Sequence, residues 1–244
     1  MITKEALFAE GLGGGRDKLI SATSLGDIEH VRYMLERGTS PNVKDFDGDT
    51  SLSAAAELGR TMILELLLEH GGNPNNLSYI GWTPLMLAVC NDHAACAFEL
   101  LRRGARVTCV EDVKQYTPLH MAARWGHTRV AKLLIDAGAV VGTPDARGYS
   151  ARDVAERYNH RETAGAIDRL AASRDADDAA AAAAGGPPPP APGTGTRALD
   201  AAYVWELLPE LAHAPLEEQA RRCALCFSFI RFPYQATMAL YARS

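Results

Sequence analysis

Between residues 116 and 145 the apolar positions form two short stripes at helical spacing. Leu119, Ala122 and Ala123 mark the first, a narrow one, and Val130, Leu133 and Leu134 mark the second. Thr117 and Pro118 open the first predicted helix. A threonine hydroxyl can cap free backbone N–H groups, and proline suits the first helical turn. Gly126 supplies a flexible turn between the stripes, and Gly138 ends the second where a left-handed residue is wanted. Neither helix is long enough to be stable alone. The pair must therefore stack on copies of itself.

The copies are present. Thr50, Thr83, Thr117 and Ser150 open successive units at spacings of 33, 34 and 33 residues, and Gly38, Gly71, Gly104 and Gly138 close the second helices at 33, 33 and 34. A period near 33 with the motif T-P-L-H-x-A, carried by Thr117 to Ala122 and partly by Thr83-Pro84-Leu85, resembles the ankyrin repeat. The resemblance covers about residues 17–170 and implies an all-α fold: a solenoid of five helix-turn-helix units with β-hairpin fingers.

The first unit, 17–44, is degenerate at its start but keeps Leu19, Ala22, Val31 and Leu35, with Lys18, Glu29, Arg32 and Glu36 facing outward as in a solenoid cap. In the second, 45–77, Ser51 replaces the proline and Ser53 the histidine. In the third, 78–111, Met86 stands for the histidine, Val89 for the second alanine and Asp92 for the turn glycine; Asp tolerates positive φ, so the turn is expected to survive. One extra residue falls between Gly104 and Thr117, where the family places a finger. The fifth unit, 145–170, carries Arg152 where internal units have leucine, as suits a face that no further repeat covers.

Outside the repeats, residues 1–16 read as a flexible leader; the GLGGGR run lacks the strand and spacing of a phosphate loop. Residues 171–197 form a linker in which alanines can prolong a helix to about Ala184 before Gly185, Gly186 and Pro187 to Pro190 stop it. Residues 198–244 read as a small helical C-terminal segment, too short for a secure core of its own.

Composition narrows the function. A net charge of −5 gives no reason to expect nucleic acid as partner, and no run approaches the length of a membrane span. Five irregularly spaced cysteines do not make a disulfide framework, so an intracellular compartment is expected. His120 and His127 stand where the ankyrin pattern places structural histidines. Cys223 and Cys226 form a C-x-x-C without the further ligands zinc needs. Neither cofactor nor catalysis is expected, with a metal- or redox-active role for Cys223 and Cys226 kept as a minor alternative.

The remaining signal is aromatic. The resemblance implies a groove lined by residues just before each opening Thr or Ser and by the two before each inter-helix turn residue. Carried onto this chain, those places hold Phe46, Asp47, Asp49 and Glu57; Tyr79, Trp82 and Asn91; Lys114, Tyr116, Arg124 and Trp125; Arg147, Tyr149, Arg157 and Tyr158, with Leu58, Ile80, Cys90, Val113 and Ala146 beside them. Seven of the nine aromatics of residues 17–170 fall in this set, leaving only Tyr33 and Phe98, and exposed rings with Arg are typical interface anchors. Charge is polarised: residues 17–93 carry a formal −6 and residues 94–170 a formal +3. The expectation is an adaptor, monomeric when unbound, that holds an extended or helical segment of a protein partner, with Trp82, Tyr116 and Trp125 at the apolar centre. The alternative is a targeting subunit whose C-terminal segment docks on an effector such as a ubiquitin-ligase scaffold.

Overall fold

A computed structural model describes residues 15–46, 48–79 and 81–183, which hold ten helices and no strand. They come as five pairs: α1 (Gly15–Leu25) with α2 (Ile28–Glu36), α3 (Ser51–Glu57) with α4 (Thr61–Glu69), α5 (Pro84–Cys90) with α6 (Ala94–Arg102), α7 (Pro118–Trp125) with α8 (Thr128–Asp136), and α9 (Ala151–Arg157) with α10 (Arg161–Ala183). First helices stack on first helices and second on second, so two parallel rows run along the repeats. The alanines explain how the first row closes. Ala55, Ala56, Ala88, Ala122, Ala123 and Ala155 have no exposed surface, and Leu52, Leu85 and Leu119 sit beside them in the core. Val89, the larger exception, is also fully buried, so the row absorbs it.

The fingers differ from the β-hairpins implied by the resemblance. Each is a turn closed by a backbone hydrogen bond, from Asp45 N–H to Asp49 C=O, Ser78 to Trp82 and Asp145 to Tyr149, all 2.9 Å. One such bond does not build a ladder, which is why no strand forms among the described residues. The extra residue of the third connection is absorbed here: Glu111 N–H reaches Tyr116 C=O at 3.0 Å across a longer turn, with Gln115 at φ 57°.

In the stretches that lead into the fingers, asparagines that sequence reasoning missed link the repeats. Asn42 donates its side-chain amide to Gly71 C=O at 2.9 Å and accepts from Asn73 N–H at 2.7 Å; Asn75 does the same with Gly104 C=O at 3.1 Å and Arg106 N–H at 2.8 Å. A Pro-Asn pair recurring at 41–42 and 74–75 was the available signal. At the far end Arg152 pairs with Asp168 at 2.7 Å and Glu156 at 2.8 Å on the uncovered face. The long α10 continues past the last repeat, and Arg174 on it donates to Ile135 C=O at 3.3 Å and Ala139 C=O at 3.0 Å. Residues 15 and 16, expected in the flexible leader, open α1; the rest of the leader, the proline tract, the C-terminal segment 198–244 and Cys223 with Cys226 lie outside the described residues.

Candidate partner-binding site

The side chains proposed to meet a partner leave the backbone at two kinds of position, and each is locked locally. The first lies just before a helix cap. Thr50, Thr83, Thr117 and Ser150 each accept, through the hydroxyl, the N–H three residues on. The side chain at that third position reaches back in three of the four: Met86 Sδ takes Thr83 N–H at 3.5 Å, His120 Nδ1 takes Thr117 N–H at 3.2 Å, and Asp153 takes Ser150 N–H at 2.9 Å. This reciprocal pairing sets the direction in which Trp82, Tyr116 and Tyr149 project. His120 does more. With Nδ1 accepting, its proton sits on Nε2 and donates to Tyr149 C=O at 3.1 Å, tying the fourth repeat to the next finger. Burial lowers the His120 pKa below the ordinary imidazole value, so the neutral ring is favoured.

The second kind of position is the end of a first helix. The residues that turn the chain there have positive φ, namely Gly59 (67°), Asp92 (56°), Gly126 (75°) and Asn159 (65°). Asp92 thus fills the glycine's place as its type allows. Histidines of the following unit then hold the helix ends: His93 Nε2 bonds Glu57 C=O at 3.0 Å and His127 Nε2 bonds Cys90 C=O at 3.2 Å. Both histidines are structural, as is His120.

The structure brings one part of the expected set together and leaves another scattered. In the fourth and fifth repeats, the Arg124 guanidinium lies 5.6 Å from the Trp125 ring centre and 5.0 Å from that of Tyr158. Arg157 lies 5.3 Å from the Tyr149 ring and donates to its hydroxyl at 3.3 Å. Lys114 lies 5.5 Å from Tyr116. Trp125, Tyr149 and Tyr158 are exposed, Trp125 by 54%. Tyr116 is not: 9% exposed, it stacks on His120 with ring centres 5.5 Å apart, so it belongs to the wall rather than to the open centre expected of it. Burial, foremost, raises its phenol pKa; Tyr158 and Asp145 push the same way while Arg124 and Arg147 oppose, which places these groups around one ring.

Beneath the exposed indole lies Cys90. Its thiol is pushed up to about 11, mainly by burial, against a side-chain hydrogen bond with Trp125 and the field of Arg124. Its sulfur also lies 3.7 Å from Met121 Sδ. Such a thiol is packing for the ring above it, not a nucleophile.

The first half is different. Phe46 is 91% exposed and stands apart, and Asp47 and Ile80 lie outside the described residues. Tyr79 lies across the preceding finger: a Cβ added to Gly48 would meet its ring at 2.9 Å, and Lys44 lies 6.0 Å from the ring centre. Trp82 is half-buried, Glu57 is exposed, and the exposed Asn91 turns its amide back to Leu87 C=O at 3.0 Å. Asp49 N–H is held by the Asp45 carboxylate at 2.9 Å. Among the described residues no group of three or more His, Cys, Asp or Glu is placed to hold a metal, and no helix is long and apolar enough to cross a membrane.

Stacked helix pairs, capped by Thr-x-x-His and its variants and linked through fingers, define a helical-repeat binding scaffold. Comparison with known proteins agrees. The family model for ankyrin repeats in three copies matches residues 19–111, and that for a single ankyrin repeat matches 114–149. The chain belongs to the ankyrin-repeat family. It is similar to cyclin-dependent kinase 4 inhibitor B of Rattus norvegicus, 34% identical over 154 residues that make up 63% of this chain and 92% of that protein. Palmitoyltransferase ZDHHC17 of Homo sapiens is 37% identical over 178 residues, 72% of this chain and 28% of that protein. ARF GTPase-activating protein GIT1 of Homo sapiens is 42% identical over 65 residues, 27% of this chain and 8% of that protein. These repeats make the chain a protein-interaction repeat protein.

Proposed function

We propose that the chain is a non-catalytic intracellular adaptor that holds an extended or helical segment of a protein partner along the fingers and first-helix ends of its repeats. The observation that carries this reading is the exposure of Trp125, Tyr149 and Tyr158 on one connected surface. None of these rings is needed by the core, and exposed rings with arginine are the usual anchors of an interface. A relative matched over nearly its whole length is, by name, an inhibitor of a kinase, a role that binding alone can perform. The test is capture of partners by the full chain in cells, with and without Trp125→Ala. If Trp125 is an anchor, the substitution weakens binding of the captured protein by about 2 kcal/mol or more. Partners captured equally well by both forms overturn the reading.

A further inference from the structure

The fourth and fifth repeats hold a surface whose charge is left over once local pairing is complete. Four cations stand on it: Lys114, Arg124, Arg147 and Arg157. None has a carboxylate within ion-pair distance among the described residues; three of them lie against rings instead. The acids nearby are committed elsewhere. Asp145 accepts the N–H groups of Arg147 at 2.8 Å and Tyr149 at 2.9 Å and so builds the finger. Asp153 holds Ser150, by N–H and hydroxyl, at 2.9 and 2.7 Å, and Glu156 pairs with Arg152 at 2.8 Å. What remains is an excess of positive charge, Lys114, Arg124 and Arg157 held against rings and Arg147 beside them, over Asp112, the exposed acid of the Lys114 finger.

We infer that this face recognises an acidic peptide segment, one that sets Asp or Glu next to a large apolar residue. This rests on the adaptor reading and adds the chemistry of the ligand. A guanidinium already held against a ring loses little further freedom on binding, and its planar fork can give a carboxylate two parallel N–H groups. The rings between them accept the apolar neighbour. Lys114 and Arg147, from two fingers joined by the hydrogen bond from Ala146 N–H to Lys114 C=O at 3.0 Å, extend the same field along the peptide. Rings and cations also suit single-stranded nucleic acid. A formal charge of −6 over residues 17–93, beside this face, repels a long polyanion and leaves room for a short acidic stretch.

An array of short peptides of varied charge and apolar content, probed with the full chain, tests this. The wild type is expected to select Asp or Glu beside Leu, Phe or Trp over charge-scrambled versions. Arg124→Glu with Arg157→Glu should lose about tenfold in affinity for those peptides, the worth of two rim pairs, and gain Lys- or Arg-containing ones. Both side chains are on the surface, and an unchanged melting temperature and helicity confirm that the double variant is folded. Selection that ignores charge but depends on Trp125 overturns the acidic assignment and leaves the adaptor reading standing. A preference for basic peptides, tighter binding to single-stranded RNA than to any peptide, or no selection at all also overturns it. The adaptor reading falls separately, if captured partners ignore Trp125→Ala.

Discussion

In the third repeat the side chain that closes the cap on the first helix is Met86; in the fourth it is His120. The third turns between its helices on Asp92, the fourth on Gly126. At the end of the first helix the third has Asn91, the cap residue, which bonds back to Leu87 C=O, while the fourth has Trp125, which faces solvent. The two backbones are nonetheless equivalent, each with a threonine cap, a proline-started helix and, before the second helix, a histidine that bonds the preceding repeat. The pairing teaches that the repeat backbone needs a cap, a buried alanine stripe and a left-handed turn, but not one residue type for each. His120 adds what Met86 lacks: a bond outward, to the next finger. The fourth repeat thus gains a link to its successor through its cap that the third lacks, and it carries the exposed Trp125 at the end of its first helix.

The largest way to break this comparison is at the stripe. Ala122 has no exposed surface and faces neighbouring helices on both sides, so Ala122→Glu buries an unpaired carboxylate and should cost several kcal/mol, on the order of 3–5. A thermal melt measures it, and an unshifted melting temperature would mean the register is wrong. The turn residues come next. A Cβ on Gly126 would lie 2.5 Å from His160 Nδ1 at φ 75°, so Gly126→Ala should cost about 2 kcal/mol or more. Asp92→Gly, at the matching place, relieves a strained φ and should raise stability by at most about 1 kcal/mol. Equal losses at the two sites in denaturant titrations would show that the turns are not equivalent.

The smallest effect sharpens the role of His120. Its folded pKa lies below the unfolded value near 6.5, so the unfolded chain binds more protons in that window. The stability it contributes is full above pH 6.5 and is lost as pH falls through the lowered folded value. His120→Asn should therefore cost about 1 kcal/mol at neutral pH, with the gap to wild type narrowing in acid. Urea titrations at several pH values check this; a gap that widens in acid refutes it.

The two rows of helices were legible in the sequence because their causes are local and periodic: Thr-Pro starts, alanine stripes and glycine stops at one spacing. Asp92 was legible too, since its type tolerates the turn. The fate of individual rings was not. Tyr116 and Trp125 occupy equally exposed-looking places in the pattern, yet His120 and the next finger cover Tyr116, while Cys90 supports Trp125 only from beneath. Burial of that kind depends on which neighbour lies above, and a single repeat's pattern does not encode it. Tyr79 is similar: Gly48, a period earlier, gave its ring somewhere to lie. That no strand forms among the described finger residues follows from how tightly each turn closes, with one outer and one inner bond, a geometry that sequence spacing does not reveal.

Arg174 sits in a stretch that composition alone assigns to a spacer, among alanines and aspartates. Yet it reaches back to the carbonyls of Ile135 and Ala139, where α8 ends and its partial negative charge gathers. The last counted repeat is thus not the last interacting one. Anyone grafting these repeats as a cassette, or trimming the chain to its countable units, would cut through a clamp; the smallest portable piece is longer than the periodicity that announces it.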